Sequence, residues 1–80
     1  MTRVVGLAGS PGVRQGYRVH TQAQGDEYVT TLRRTDDEER TVEVTERYRV
    51  DGDTGDREDL DLEATEAVEE ALEDRGVTVA

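Results

Sequence analysis

The side chains best suited to acid–base or nucleophilic catalysis are the single histidine, His20, and the single serine, Ser10. A Ser–His pair would require these residues to meet, but Ser10 lies in a Gly–Pro segment without the pattern of a nucleophile elbow. One histidine cannot form a histidine cluster for zinc, and the absence of cysteine excludes thiolate nucleophiles, iron–sulfur clusters and disulfides. We therefore predict that the chain is not an enzyme and has no catalytic residues, no metal site and no cofactor.

A glycine-rich segment at residues 6–12 (GLAGSPG) follows a short apolar stretch. It resembles the phosphate loop of flavodoxin-like FMN reductases, in which a strand precedes Gly-Ser-Pro, and this resemblance implies phosphate binding by backbone N–H groups. That family continues into a helix and a parallel sheet, whereas strand patterns follow here from Tyr17, and no lysine follows the glycines as in a Walker loop. We interpret residues 1–16 as a Gly-rich N-terminal arm or an edge strand, with a nucleotide-binding fragment as a further functional alternative.

Residues 51–56 (DGDTGD) begin like a calcium-binding loop, with aspartates at the first and third positions. In such a loop the fifth position carries a ligand and the sixth a glycine, but Gly55 and Asp56 stand in the opposite order. The twelfth position, which should be a bidentate glutamate, is Leu62. The segment is therefore predicted to be a solvated acidic turn.

The remaining candidate is a set of basic side chains that the strand pattern assigns to one face of a sheet. Its members are Arg18, His20, Arg33, Arg47 and Arg49. Guanidinium groups bind carboxylates and phosphates through paired hydrogen bonds, so such a face could bind a protein or an anion. Single-stranded nucleic acid is disfavoured because the tyrosines fall on the opposite parity, which removes the stacking surface, and because the chain is strongly acidic.

Three segments alternate between apolar and polar residues with a period of two, which is typical of half-buried strands. They span residues 17–23, 27–34 and 40–50, and a turn signal at 24–26 separates the first two. The apolar phase of the third segment comprises Val42, Val44, Tyr48 and Val50. Glu46 interrupts this phase, which indicates either a bulge or a gap in the inner face. Strands joined by short links favour an antiparallel meander.

A helix is predicted after the acidic segment, with Asp59 or Asp61 as its N-cap and Gly76 as the residue that ends it. Its apolar stripe comprises Ala64, Ala67, Val68, Ala71 and Leu72. The predicted fold class is therefore α+β: a three-stranded antiparallel meander packed on one C-terminal helix, in a single domain at 17–80. Residues 77–79 and the N-terminal segment are both compatible with an additional edge strand.

This arrangement covers one sheet face with the helix and leaves the basic face open, where Glu27 and Glu43 add carboxylates. A second copy of the chain could pair its carboxylates with the arginines across a two-fold axis. We therefore predict a small non-catalytic interaction protein that forms a homodimer or docks a protein partner, with the open face partly buried. Binding of nucleic acid or another anionic ligand to this face is the alternative, and a solvated face without function is also compatible with the pattern.

The charge of the chain is unevenly distributed. The 80 residues include 20 acidic and 10 basic side chains, a net charge of −10, and every basic residue in this count is arginine. Residues 1–50 contain eight arginines and eight acidic residues, so the entire net charge falls in residues 51–80, with twelve acidic residues and two arginines. Dense carboxylates without lysine are typical of proteins of halophilic origin, although a GC-rich genome would also favour arginine.

The sequence also allows predictions of where the protein is located and whether it associates. No stretch approaches the roughly 18 apolar residues that span a bilayer, and Met1 is followed by only a short apolar segment rather than a secretory signal. These features predict a cytoplasmic protein without a membrane partner. A chain of this length buries only about 60% of its unfolded surface, so association is the expected source of additional stability.

We predict that the fold is more stable in molar KCl than at low salt. At about 0.1 M salt the screening length is ~10 Å, so the carboxylates of residues 51–80 repel one another, whereas at about 1 M it falls to ~3 Å. The melting temperature, followed by circular dichroism, should therefore rise with KCl concentration. An unchanged melting temperature would remove the argument for halophilic adaptation.

Overall fold

The computed structural model describes residues 2–10, 16–35 and 40–80. These residues form six strands and one helix. The elements in chain order are β1 (Arg3–Ser10), β2 (Gly16–Ala23), β3 (Asp26–Arg34), β4 (Thr41–Val50), β5 (Arg57–Asp59), α1 (Glu66–Glu73) and β6 (Thr78–Val79). The α+β fold class is confirmed in broad terms, but the sheet has more strands than the three predicted.

Five of the strands form an antiparallel ladder in sequence order, β1-β2-β3-β4-β5. β2, β3 and β4 correspond to the predicted meander and are rich in the β-branched and aromatic residues that fit a half-buried sheet. β6 pairs in parallel with the start of β4, where Thr78 is opposite Thr41 and Val79 is opposite Val42. β5 pairs with the other end of β4, so β4 joins both C-terminal strands to the sheet.

The N-terminal segment supplies the edge strand β1. It pairs antiparallel with β2, which differs from the parallel sheet that the resemblance to FMN reductases implies. Residues 11–15, which include part of the glycine-rich segment and of the predicted arm, lie outside the described residues.

The β2–β3 hairpin turns at Gln24 and Gly25, whose φ angles are 54° and 83°. Two central residues with positive φ form a type I′ turn, the twist of which matches that of the flanking strands. Ala23 and Asp26 are the pair next to the turn. The turn predicted at 24–26 is confirmed.

A β-bulge in β4 changes which side chains face the helix. Leu32 of β3 is opposite Val44, but the next pair is Thr31 with Glu46, so Thr45 is an additional residue in β4. The pairs beyond the bulge are Thr30 with Arg47, Val29 with Tyr48, Tyr28 with Arg49 and Glu27 with Val50. Because one additional residue shifts the alternation of a strand by one, residues of the same parity before and after the bulge lie on opposite faces.

Because of the bulge, the predicted apolar phase of β4 is wrong beyond Val44. Val42 and Val44 pack with the core on the α1 side, whereas the register turns Tyr48 and Val50 to the other side. Of the two interpretations of Glu46, the structure shows a bulge, with Thr45 as the additional residue.

The core lies between α1 and part of the sheet. Its buried side chains are Val19, Leu32, Val42, Val68, Leu72 and Val77, each at most 5% exposed. A helix of eight residues is only about 12 Å long, whereas the longest dimension of the molecule is 40 Å. Farther along the same face, around Tyr28, the helix no longer covers the sheet. The chain between β5 and α1 lies against the sheet there.

The phase of α1 agrees with the predicted stripe. Val68 and Leu72 are buried, whereas Glu70 is exposed. The chain reverses after the helix at Gly76, whose φ of 76° is favourable for glycine. Val77 then enters the core, and its N–H donates a hydrogen bond to the Leu72 carbonyl at 2.9 Å.

The N-cap of α1 is Thr65, which corrects the predicted Asp59 or Asp61. The Thr65 hydroxyl oxygen accepts a hydrogen bond from the Val68 N–H at 3.5 Å. Asp59 belongs to β5, so the chain is still extended at that point. The helix is consequently shorter than the predicted stripe, and Ala64 packs against the core from the segment before it.

Leu72→Ala should lower the free energy of unfolding by about 2–5 kcal/mol, because Leu72 is fully buried and its truncation leaves a cavity. Glu70→Ala, on the exposed side of the same helix, should change it by less than about 0.5 kcal/mol. Chemical denaturation of both variants measures the difference. Equal losses would mean that α1 packs through another face.

Candidate functional site

The face of the sheet opposite α1, named the open face, carries only part of the predicted basic set. Three members lie on it: Arg18, His20 and Arg33. Arg47 is opposite Thr30 and Arg49 is opposite Tyr28, which places both arginines on the α1 side. The bulge at Thr45 is the physical cause, because it reverses the parity of every later residue of β4. The five residues therefore do not form one surface, and what the three on the open face bind stays a prediction.

Arg47 and Arg49 contact chain segments within the domain. The Arg47 guanidinium donates a hydrogen bond to the Asp61 carbonyl at 3.3 Å. The Arg49 guanidinium lies 3.9 Å from an Asp26 carboxylate oxygen and 3.7 Å from one of Glu58. These contacts connect β4 with the start of β3, with β5 and with the chain before α1, which is a structural use of both side chains.

His20 pairs with a glutamate of the neighbouring strand. Its Nδ1 atom lies 2.9 Å from the Oε1 atom of Glu27 on the neighbouring strand. Ser10 is opposite Gly16, and His20 lies four residues farther along β2, a separation of about 13 Å. The structure therefore does not bring Ser10 and His20 together.

Tyr48 and Arg57 cover the centre of the open face. Val29, between His20 and Tyr48, is only 2% exposed although it lies on the face away from α1. The Arg57 guanidinium lies 3.9 Å from the Tyr48 ring centroid, a cation–π contact, and 3.2 Å from a Glu46 carboxylate oxygen. Partial desolvation lowers the pKa of Arg57, but hydrogen bonds to two carboxylates outweigh it, so the net shift is upward.

Arg18 and Arg33 border a cavity of about 320 Å³ on the open face. Ala8, Gly16, Thr31 and Thr45 are among its other lining residues. Gly16 is directly opposite Arg33, and Arg18 is directly opposite Thr31, so the two arginines flank a position without a side chain. This is the place where the structure brings two members of the predicted set together.

The sequence does not reveal Gly16, Thr31 or Thr45 as members of a site. Their grouping depends on which residues of three strands lie opposite one another, and a single sequence specifies that register only weakly. The one available signal was the interrupted phase at Glu46. If a bulge is placed at this point, the alternation of the rest of β4 is reversed, and Arg47 and Arg49 are predicted to lie away from the open face.

The acidic connection between β4 and β5 is a hydrogen-bonded turn. The Asp51 carboxylate accepts hydrogen bonds from the N–H groups of Thr54 at 3.0 Å and Asp53 at 2.8 Å, and these bonds lower the pKa of Asp51. An Asp26 carboxylate oxygen accepts a further one from the Gly52 N–H at 3.0 Å. Among residues 2–10, 16–35 and 40–80, no group of three His, Asp or Glu side chains is arranged to hold a metal ion.

No protein-family model, curated protein or solved structure matches the chain. No helix in the described part of the chain is long and apolar enough to span a bilayer. A function can therefore be inferred only from the geometry of the sheet.

Gly16→Ala should destabilise the fold, because a Cβ atom at this position would collide with the Leu32 carbonyl oxygen of β3. Gly9→Ala is the matched control, since Gly9 also lies in a strand and its Cβ would come no closer than 3.7 Å to the Tyr17 ring. We expect a loss of at least about 2 kcal/mol for Gly16→Ala and of less than about 0.5 kcal/mol for Gly9→Ala. Chemical denaturation measures both, and similar stabilities would show that β2 and β3 can separate to admit a side chain.

Proposed function

We propose that this chain is a small non-catalytic interaction protein that forms a homodimer through β1 and acts in the cytoplasm at high salt. The observation that carries the proposal is the edge of the sheet. Within the described residues, β1 pairs only with β2. Val4 and Val5 of this strand are 37% and 44% exposed.

The outer side of β1 can accept another strand. An edge strand presents a row of unpaired N–H and C=O groups, and natural proteins protect such edges with charged residues, proline or bulges. β1 contains one charged residue, Arg3, and no acidic residue. Its one irregularity against β2 lies between Val4 and Gly6, and its pairing is regular from Gly6 to Ser10. The edge is therefore weakly protected.

The partner that fits this edge is a second copy of the chain. Two β1 strands can pair antiparallel about a two-fold axis, because an isologous contact joins the same segment of both copies. Each copy carries a net charge of −10, so contact is least opposed at a strand without carboxylates. β1 and β5 are at opposite ends of the ladder, which keeps the acidic turn between β4 and β5 away from the contact.

A dimer through the open face is the alternative, and its salt dependence differs. It would bring the arginines of one copy, such as Arg18, against the glutamates of the other, such as Glu46, and these attractions weaken as salt rises. Pairing of β1 strands behaves in the opposite way. Salt screens the repulsion between two acidic copies and leaves the backbone hydrogen bonds in place.

Sedimentation velocity of the wild type in low and in molar KCl tests the proposal. We expect a dimer that tightens as salt rises, with a dissociation constant in the micromolar range, because one strand pair buries less surface than a standard interface. A protein that is monomeric at every salt concentration would overturn the proposal. A dimer that dissociates in molar KCl would also overturn it and would indicate an ionic contact through the open face.

The Val5→Lys variant examines the strand itself in the same experiment. A lysine on an exposed edge opposes edge-to-edge pairing, so the dimer should weaken at least about tenfold. Leu62→Lys is the matched control, since Leu62 is 58% exposed, lies between β5 and α1, and adds the same charge. Its dimer should equal that of the wild type. Equal weakening in both variants would show that the effect is not specific to β1 and would overturn this contact, since a lysine by itself reduces the repulsion between two acidic copies.

A further inference from the structure

Arg18 and Arg33 line one cavity on the open face. In the part of the chain that the structure describes, neither side chain makes an ion pair or a hydrogen bond, whereas Arg49 and Arg57 are both paired with carboxylates. The two residues are diagonal neighbours on β2 and β3, at a backbone separation of about 7–8 Å. Two like charges therefore face the same space, and an anion between them would relieve their repulsion.

The position between the two arginines carries no side chain, because the backbone of β3 leaves no room for one. Gly16 is directly opposite Arg33 and two residues from Arg18. The Leu32 carbonyl oxygen occupies the place that a Cβ atom at Gly16 would need. Position 16 therefore admits only glycine, so no side chain from this position fills the cavity of about 320 Å³ beside the arginines.

Thr31 is among the residues that line the cavity. Its Oγ1 atom is buried and has no hydrogen-bond partner among the described residues. Buried hydroxyl groups are nearly always hydrogen-bonded, so an isolated one indicates a missing partner. The neighbouring Thr45 hydroxyl is already engaged, since it donates a hydrogen bond to the Thr31 carbonyl at 3.3 Å.

We propose that this cavity binds a phosphate group, either inorganic phosphate or the terminal phosphate of a small phosphorylated compound. Two guanidinium groups match the charge of the dianion that phosphate forms near neutral pH. Each guanidinium presents a planar fork of N–H groups. A tetrahedral anion has enough oxygen atoms for both forks, whereas the two oxygens of a carboxylate are occupied by one fork.

The surroundings of the cavity favour a compact anion over a nucleic acid. Glu43 is opposite Arg33, and Glu46 is opposite Thr31, so two glutamates of β4 lie on the same sheet face as the arginines. A polyanion lying across the sheet would meet these carboxylates, whereas a single phosphate remains beside β2 and β3. The net charge of −10 also opposes the approach of a polyanion.

Two-dimensional NMR with potassium phosphate as the probe tests this site, in molar KCl and at constant ionic strength. We expect saturable shifts centred on the backbone amides of Gly16, Arg18, Thr31 and Arg33. An equivalent addition of KCl should leave these signals unchanged. A response to phosphate no larger than that to chloride, or shifts spread evenly over all arginines, would overturn the proposal.

Matched variants separate the cavity from a response to net charge. Arg18→Gln and Arg33→Gln should each weaken phosphate binding at least about tenfold, because each removes one charged fork. Arg75→Gln loses the same charge at an exposed position after α1, and its affinity should equal that of the wild type. Equal weakening in the control would show a response to net charge alone and would overturn the site.

Two further measurements separate a compact phosphate ligand from a nucleic acid, and the phosphate site from the β1 dimer. A short single-stranded DNA should bind no more tightly than phosphate; tighter binding that is lost in Arg18→Gln would overturn the compact ligand in favour of a nucleic acid. The Val5→Lys variant should bind phosphate with the affinity of the wild type. Failure of the β1 dimer and failure of the phosphate site therefore give different results.

Discussion

One additional residue in β4 determines which groups each face of the sheet presents. Before Thr45, the strand directs Val42 and Val44 toward α1. After it, the same face receives Arg47 and Arg49, and the apolar side chains turn to the open face. A strand whose alternation ran unbroken would bury its valines along its full length and expose all of its arginines. The bulge thus divides the α1 side into an apolar part and a polar part, and the division of the arginines follows from it.

That division explains how a short helix is sufficient. α1 spans eight residues and packs on the apolar part of the face, where Leu72 and Val68 are buried. On the polar part, the stems of Arg47 and Arg49 cover the sheet while their guanidinium groups contact backbone and carboxylate oxygens. Half-exposed ion pairs of this kind add little stability, so most of the stabilisation comes from the apolar part. The polar part is consequently the region expected to open first in local unfolding.

The sequence anticipated the features that depend on neighbouring residues. The turn at Gln24 and Gly25, the helix phase around Leu72 and the chain reversal at Gly76 each depend on local conformational preference or on spacing within one turn of helix. These features agree with the structure. The predicted N-cap is wrong because several acidic and hydroxyl residues precede the helix, and the side chain of each of them is able to cap it.

Features that depend on pairing between strands could not be predicted from local sequence patterns. A period of two carries no information across an inserted residue, so the faces of Arg47 and Arg49 were reversed even though Glu46 signalled a break. The cavity beside Arg18 and Arg33 requires the register of β2 against β3, which no local pattern specifies. β1 was ambiguous because glycine weakens a strand signal, and the strand is formed through its pairing with β2.

The parallel pairing of β6 with β4 has a consequence for the order in which the domain assembles. β2, β3 and β4 are consecutive in the chain and have short connections, so their hairpins close short loops. β6 reaches the start of β4 only after the chain has passed through β5 and α1, and the closure of such a long loop has a greater entropic cost. Val77, next to β6, belongs to the core. We therefore expect the last step of folding to be the docking of α1 and β6 together onto a sheet that is already paired.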